Sequence, residues 1–137
     1  SHDIPVTLVC ADLQDVAIED ASVVVLNFTL QFIARERRDA IIRRIYQGLR
    51  PGGIMVLSEK VTFEDPHLDA LNIDLHHEFK RANGYSDLEI AGKRNAIENV
   101  LLRDTLGEHK QRIGAAGFGS CDVWFQCFNF ASLIALK

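Results

Sequence analysis

Two β-branched runs, Val23–Leu26 and Ile54–Leu57, bracket a stretch the length of one helix, and that spacing commits the chain to a βαβ unit. Ile41, Ile45 and Leu49 recur at four-residue intervals, with Ile42 and Tyr46 alongside. The arginines from Arg35 to Arg50 fall mostly on the opposite side, so an amphipathic helix is expected over Arg35–Leu49. Pro51-Gly52 suits a tight turn with a left-handed position at the glycine. The crossover between two such parallel strands is right-handed. A continuous apolar run like Val23–Leu26 is expected in a strand covered on both faces.

Upstream, Val6–Cys10 reads as another strand leading to an acid, Asp12, and the polar segment from Asp12 to Ser22 as a loop. From Asp65 to Ile113 the pattern is helical without intervening strands. Leu68, Leu71, Leu75 and Phe79 form one stripe, which Ala82-Asn83-Gly84-Tyr85 breaks. Ser86-Asp87-Leu88-Glu89 has the spacing of a capping box, in which hydroxyl and carboxylate each satisfy an orphan backbone N–H. Thr105-Leu106-Gly107-Glu108 repeats it and opens a helix that should stop near Gly117. Val123–Phe128 and Ala131–Leu136 read as an antiparallel hairpin turning at Asn129. The whole is an α/β chain.

At 137 residues and 47% hydrophobic content the chain can bury a core, which argues against disorder. Its net charge of −4 argues against a broad nucleic-acid-binding surface. No apolar run is long enough to span a bilayer, so no membrane partner is expected. Cys10, Cys121 and Cys127 are odd in number and lack metal or redox spacing, which fits a reducing compartment, by default the cytoplasm.

Asp12-Leu13, the Asp20-Ala21-Ser22 loop and Leu49-Arg50-Pro51-Gly52-Gly53 resemble the carboxyl-terminal part of a Rossmann-like class I S-adenosylmethionine-dependent methyltransferase fold. More specific are Leu26-Asn27-Phe28-Thr29-Leu30-Gln31-Phe32, His76-His77-Glu78-Phe79-Lys80-Arg81-Ala82-Asn83-Gly84-Tyr85-Ser86 and Trp124-Phe125-Gln126-Cys127-Phe128-Asn129-Phe130. Together these closely resemble the carboxy-S-adenosyl-L-methionine synthases that serve tRNA wobble-uridine modification. The resemblance implies a reaction between S-adenosyl-L-methionine and prephenate that gives carboxy-S-adenosyl-L-methionine and phenylpyruvate. Prephenate loses carbon dioxide as its ring becomes aromatic, and the cofactor's methyl carbon, deprotonated beside the sulfonium, captures it. Both reactants must be held together and away from water. The resemblance further implies a homodimer and no direct contact with the tRNA, and the residues themselves show no metal-site constellation, so no metal is expected. An ordinary small-molecule methyltransferase and an inactive folding or dimerisation module are the alternatives.

Four positions match that family's cofactor contacts. Asp12 can accept from the adenine amine and the N–H of Leu13 can donate to a ring nitrogen, although Asp12 equally suits a loop cap. Asn27 offers a donor and an acceptor at a strand's carboxyl end, or satisfies loop backbone instead. Arg94 can grip the transferred carboxylate through two parallel hydrogen bonds, which a methyl group would not need. From spacing alone it would pair with Glu98 on an exposed helix face.

Other residues carry less. His76 and His77 are adjacent and cannot face one metal ion together on a helix. Glu59, just past the Ile54–Leu57 strand, sits where a catalytic acid could project, or pairs with Lys60 or solvent. Lys80 and Arg81 suit a solvated helix end, or help attract a dianion. Trp124, Phe125, Phe128 and Phe130 suit core or interface aromatics of the hairpin.

By that resemblance, residues 1–137 are expected to correspond to a partial S-adenosylmethionine-binding domain without the glycine-rich first turn. In the fold it resembles, two strands lie between the segments matching Val6–Cys10 and Val23–Leu26. The first is therefore expected to lack a partner or be displaced, and the second to expose an apolar edge. By itself such a chain is expected to bind S-adenosyl-L-methionine weakly or not at all.

Overall fold

A computed structural model describes residues 3–97 and 100–137. Four strands form one mixed sheet in the order β1-β2-β4-β3: β1 Ala21–Asn27, β2 Leu49–Lys60, β3 Ser120–Cys127 and β4 Phe130–Leu136. The β1–β2 pair is parallel with Asn27 beside Ser58, and the other two pairs are antiparallel. Helix α1, Arg35–Gly48, makes the crossover between β1 and β2. Helices α2, Pro66–Ala82, and α3, Asp87–Ile97, follow β2, and α4, Leu106–Ala116, leads into the terminal hairpin. Among the described residues, no helix is long and apolar enough to cross a membrane.

One face of the sheet holds the core. Leu26, Met55, Leu57, Leu133 and Ala135 from the strands meet Ile41, Ile42 and Ile45 of α1 and Ile113 of α4, all buried. Alternation along β2 and β4 puts every second residue into this layer, as pleating requires. The opposite face is only partly covered. Val23 and Val25 of β1 are more than half exposed, so β1 is not a strand covered on both faces; it is an edge strand with one covered face. The strand expected at Val6–Cys10 is not formed: the segment is extended and exposed, with no ladder to join.

Local chemistry sets the boundaries. Gly52 has φ +79° inside β2, where the β1–β2 register breaks between Ala21 and Val23, and Gly117 ends α4 with φ +119°. The Ser86–Glu89 capping box is closed reciprocally, at 2.8 Å and 3.2 Å, and Thr105 Oγ1 accepts the Glu108 N–H. Gly48 is required by close approach: a Cβ there would overlap the carbonyl of Ile18 in the loop before β1.

Two expected faces are different. Arg38 is fully buried, not among the outward arginines, because Asp104 and three carbonyl groups receive its guanidinium. The stripe of Leu68, Leu71, Leu75 and Phe79 lies on the half-exposed side of α2, and His76 is the buried residue of that helix.

Candidate functional site

The carboxyl ends of β1 and β2 lie side by side, and beyond β2 the three segments α2, α3 and 101–103 enclose a cavity of about 180 Å³. Its polar lining is cationic or imidazole: Lys60 from the end of β2, His76, His77 and Lys80 from α2, Lys93 and Arg94 from α3, and Arg103. No described acidic residue lines it. Asp69 touches Arg103 from outside the cavity at 3.4 Å.

The crowding shows in the titration of these groups. Lys60 is pushed below the usual lysine range, first by burial and then by Arg103, Lys80, Lys93 and Arg94. Lys80 moves the same way through burial and Lys93. Burial, with Lys80 and Lys60 nearby, brings His76 down to about 4 and so keeps its imidazole neutral at physiological pH. His77 is lowered by burial and by Arg94. A site held in this state favours an anion, which relieves the mutual repulsion of its walls.

Each predicted site residue has a definite place. Asp12 caps the short 3-10 turn Leu13–Asp15 by accepting the Gln14 N–H at 2.9 Å, so the loop-cap role is present and its second carboxylate oxygen lies in an exposed residue. The Leu13 side chain packs against the core and anchors that turn. Asn27 is exposed at the last position of β1, next to Ser58. Arg94 lines the cavity from α3. The structure therefore groups Arg94 with Lys60 at the sheet's carboxyl edge, whereas Asp12 and Leu13 stand on a separate exposed loop. Glu98, the alternative partner of Arg94, lies outside the described residues.

Glu59 pairs neither with Lys60 nor with solvent. It is fully buried on the core face, and its two oxygens accept the N–H groups of Leu30 and Gln31 at 3.0 Å and 3.2 Å. Lys80 belongs to the cavity, while Arg81 pairs outside it with Glu78 and Asp87. His76 packs edge-on against Phe130, with ring centroids 4.8 Å apart. Trp124 and Phe125 are exposed and so are not core residues, although Trp124 donates to Ser132 Oγ at 2.7 Å. Among the described residues, no cluster of three or more His, Cys, Asp or Glu side chains is arranged to hold a metal ion. Lys60, Lys93 and Arg103 escaped sequence reasoning because they come from three separate segments and share no motif.

Residues 1–57 match the family model described as a methyltransferase domain. The chain is 61% identical over 134 residues to the carboxy-S-adenosyl-L-methionine synthase of Geobacter sp. (strain M21), covering 98% of this chain and 55% of that protein. It is 63% identical over 135 residues to the protein of the same name from Aliivibrio fischeri (strain ATCC 700601 / ES114), covering 98% and 56%. The chain thus spans about half the length of the curated relatives it matches. Among solved structures, human N-acetylserotonin methyltransferase in complex with SAM superposes with a TM-score of 0.62 at 16% identity, over 93% of this chain and 32% of that one. An O-methyltransferase family 2 protein from Planctomyces limnophilus in complex with apigenin gives 0.62 at 17%, over 93% and 34%. These likenesses establish the fold alone: an α/β, Rossmann-like arrangement shared with part of each of these structures, with added helices and a terminal antiparallel hairpin.

Proposed function

Because the chain belongs with the carboxy-S-adenosyl-L-methionine synthases, over about half their length, we propose that it forms part of a transferase making carboxy-S-adenosyl-L-methionine. The reactants are S-adenosyl-L-methionine and prephenate, the product serves tRNA wobble-uridine modification, and the tRNA itself does not bind here. One observation carries the reading: Arg94 lines a cavity walled by cations at the carboxyl end of β2, where a carboxylated ligand is at home and an uncharged methyl group gains nothing.

The donor set fits such a ligand. Asp12 and the N–H of Leu13 receive the adenine edge, with the Leu13 side chain fixing the turn that presents them. Asn27, at the tip of β1, offers its amide to the cofactor body. S-adenosyl-L-methionine supplies the sulfonium-bound methyl carbon on which the carboxyl group is placed. Arg94 holds the carboxylate in a planar, two-pronged grip, and Lys60, Lys80 and Lys93 hold the dicarboxylate substrate by charge. The apolar wall of Ile73, Ile90, Ile97 and Leu101 limits the water that would compete with these groups.

In the complete enzyme, Arg94→Ala is expected to weaken carboxy-S-adenosyl-L-methionine tenfold or more, as the loss of a charged hydrogen-bonded pair costs about 1.5–3 kcal/mol. S-adenosyl-L-methionine should be nearly unaffected. Titration calorimetry with both ligands decides the matter, and equal losses refute the role. A product heavier by a methyl group instead of a carboxyl group would favour an ordinary methyltransferase.

A further inference from the structure

The buried carboxylate of Glu59 lies one residue before Lys60 in β2 and bonds the turn that follows Asn27. Glu59 Oε1 and Oε2 accept the Leu30 and Gln31 N–H groups, which open the 3-10 turn Leu30–Phe32 directly behind the Asn27 strand end. Gln31 then reaches in two directions. Its side-chain oxygen accepts the Lys60 N–H at 2.8 Å, and its backbone carbonyl accepts the Leu102 N–H at 3.0 Å. Arg38 closes the circuit by donating to the carbonyl groups of Gln31, Ile33 and Leu102 and, at 2.7 Å, to the Asp104 carboxylate. Lys60 and Arg103, which flank this circuit, are walls of the cavity.

We propose that Glu59 is a positioning residue: through the Leu30–Phe32 turn it fixes Asn27 on one side and Lys60 and Arg103 on the other, so that both halves of the site face one ligand together. The inference rests on reading Asn27 and the cavity as parts of one site. A neutral carboxyl would turn one of Glu59's acceptors into a donor facing an N–H, so one of the two bonds would be lost. The charged groups facing Glu59 are Arg38 from α1 and Asp104 ahead of α4, and the turn itself contributes only backbone N–H groups. Burial lifts the Glu59 carboxyl to about 7, against the pull of those N–H groups and of Arg38, which places the change near neutrality.

Two-dimensional amide spectra of the full chain, recorded across neutral pH without ligand, test the coupling. The Leu30 and Gln31 N–H signals should shift with a midpoint near 7, and the Asn27 side-chain amide and the Lys60 and Arg103 N–H signals should follow with the same midpoint. Glu59→Gln should abolish all these shifts. If it does not fold, Gln31→Ala should silence Lys60 while Leu30 continues to titrate. Silence at Asn27, Lys60 and Arg103 while Leu30 titrates reduces Glu59 to a local fold element and overturns the proposal. So does persistence of the shifts in Glu59→Gln, which would trace them to a group other than Glu59. Because no ligand is present, failure here is distinct from failure of the proposed activity.

Discussion

Asp104 joins three arginines from two helices, α1 and α4. Its carboxylate receives Arg38 and Arg112 at 2.7 Å and 3.0 Å, with Arg35 on its other oxygen, and it is fully buried. Burial alone would raise its pKa, but the hydrogen bond and charge of Arg38, with Arg112 behind it, win and hold it at about 2. Removing one partner of such a cluster leaves buried charge uncompensated and typically costs about 3–5 kcal/mol. Asp104→Asn should therefore lower the unfolding free energy measured by denaturant titration by an amount in that range, whereas Arg81→Gln, which only loses exposed pairs, should barely move it. The burial of Arg38 was in fact legible in the sequence. It precedes Ile41, Ile42 and Ile45 by three, four and seven residues, so it lies on the apolar stripe of α1.

The elements most readable from sequence are those fixed by local backbone chemistry. The Ser86–Glu89 box, the left-handed conformation of Gly52 and the stop at Gly117 depend on residues within one turn of each other, and each formed where expected, although Gly52 lies within β2. The hairpin at Asn129 is of the same kind. Val6–Cys10 differs because strand propensity gives no ladder without a neighbour, and the α2 stripe differs because periodicity does not say which side is covered. The cavity was only partly legible for a related reason. Arg94 could be named by resemblance, but the convergence of Lys60, Lys93 and Arg103 is a product of tertiary packing. Gly48 yields an element-scale prediction of unusual sign. Alanine within a helix is ordinarily better than glycine by about 1 kcal/mol. Here the added methyl meets the Ile18 carbonyl, so Gly48→Ala should destabilise by about 1–3 kcal/mol in chemical denaturation and loosen the loop before β1.

Across the whole molecule, three buried groups set opposing responses to pH. His109 is almost fully buried and is lowered by burial to about 4, as is His76. Unfolded histidines take up protons near 6.5, so the stability these two provide is complete above that value and is lost as pH falls through about 4. Glu59 acts in the other direction. Its raised carboxyl contributes stability in acid that is lost as pH rises from 4.5 through about 7. Two histidines against one carboxyl should make the melting temperature fall on acidification from 6.5 to 4, and His109→Leu should flatten that fall; calorimetric scans across the range would check both.

The place of β4 has a consequence for how the polypeptide is made. Phe130–Leu136, near the end of the chain, is an inner strand, hydrogen-bonded to β2 on one side and β3 on the other. Lys137 just beyond it donates its ammonium to the carbonyl groups of Tyr46 and Leu49 at the close of α1. During translation the β1–β2 pair can zip early, but β3 cannot join the sheet before β4, which follows it in the sequence, has emerged from the ribosome. Nascent copies therefore keep the Leu133 and Ala135 side of their core unsealed until β4 has followed α4 and β3 into place.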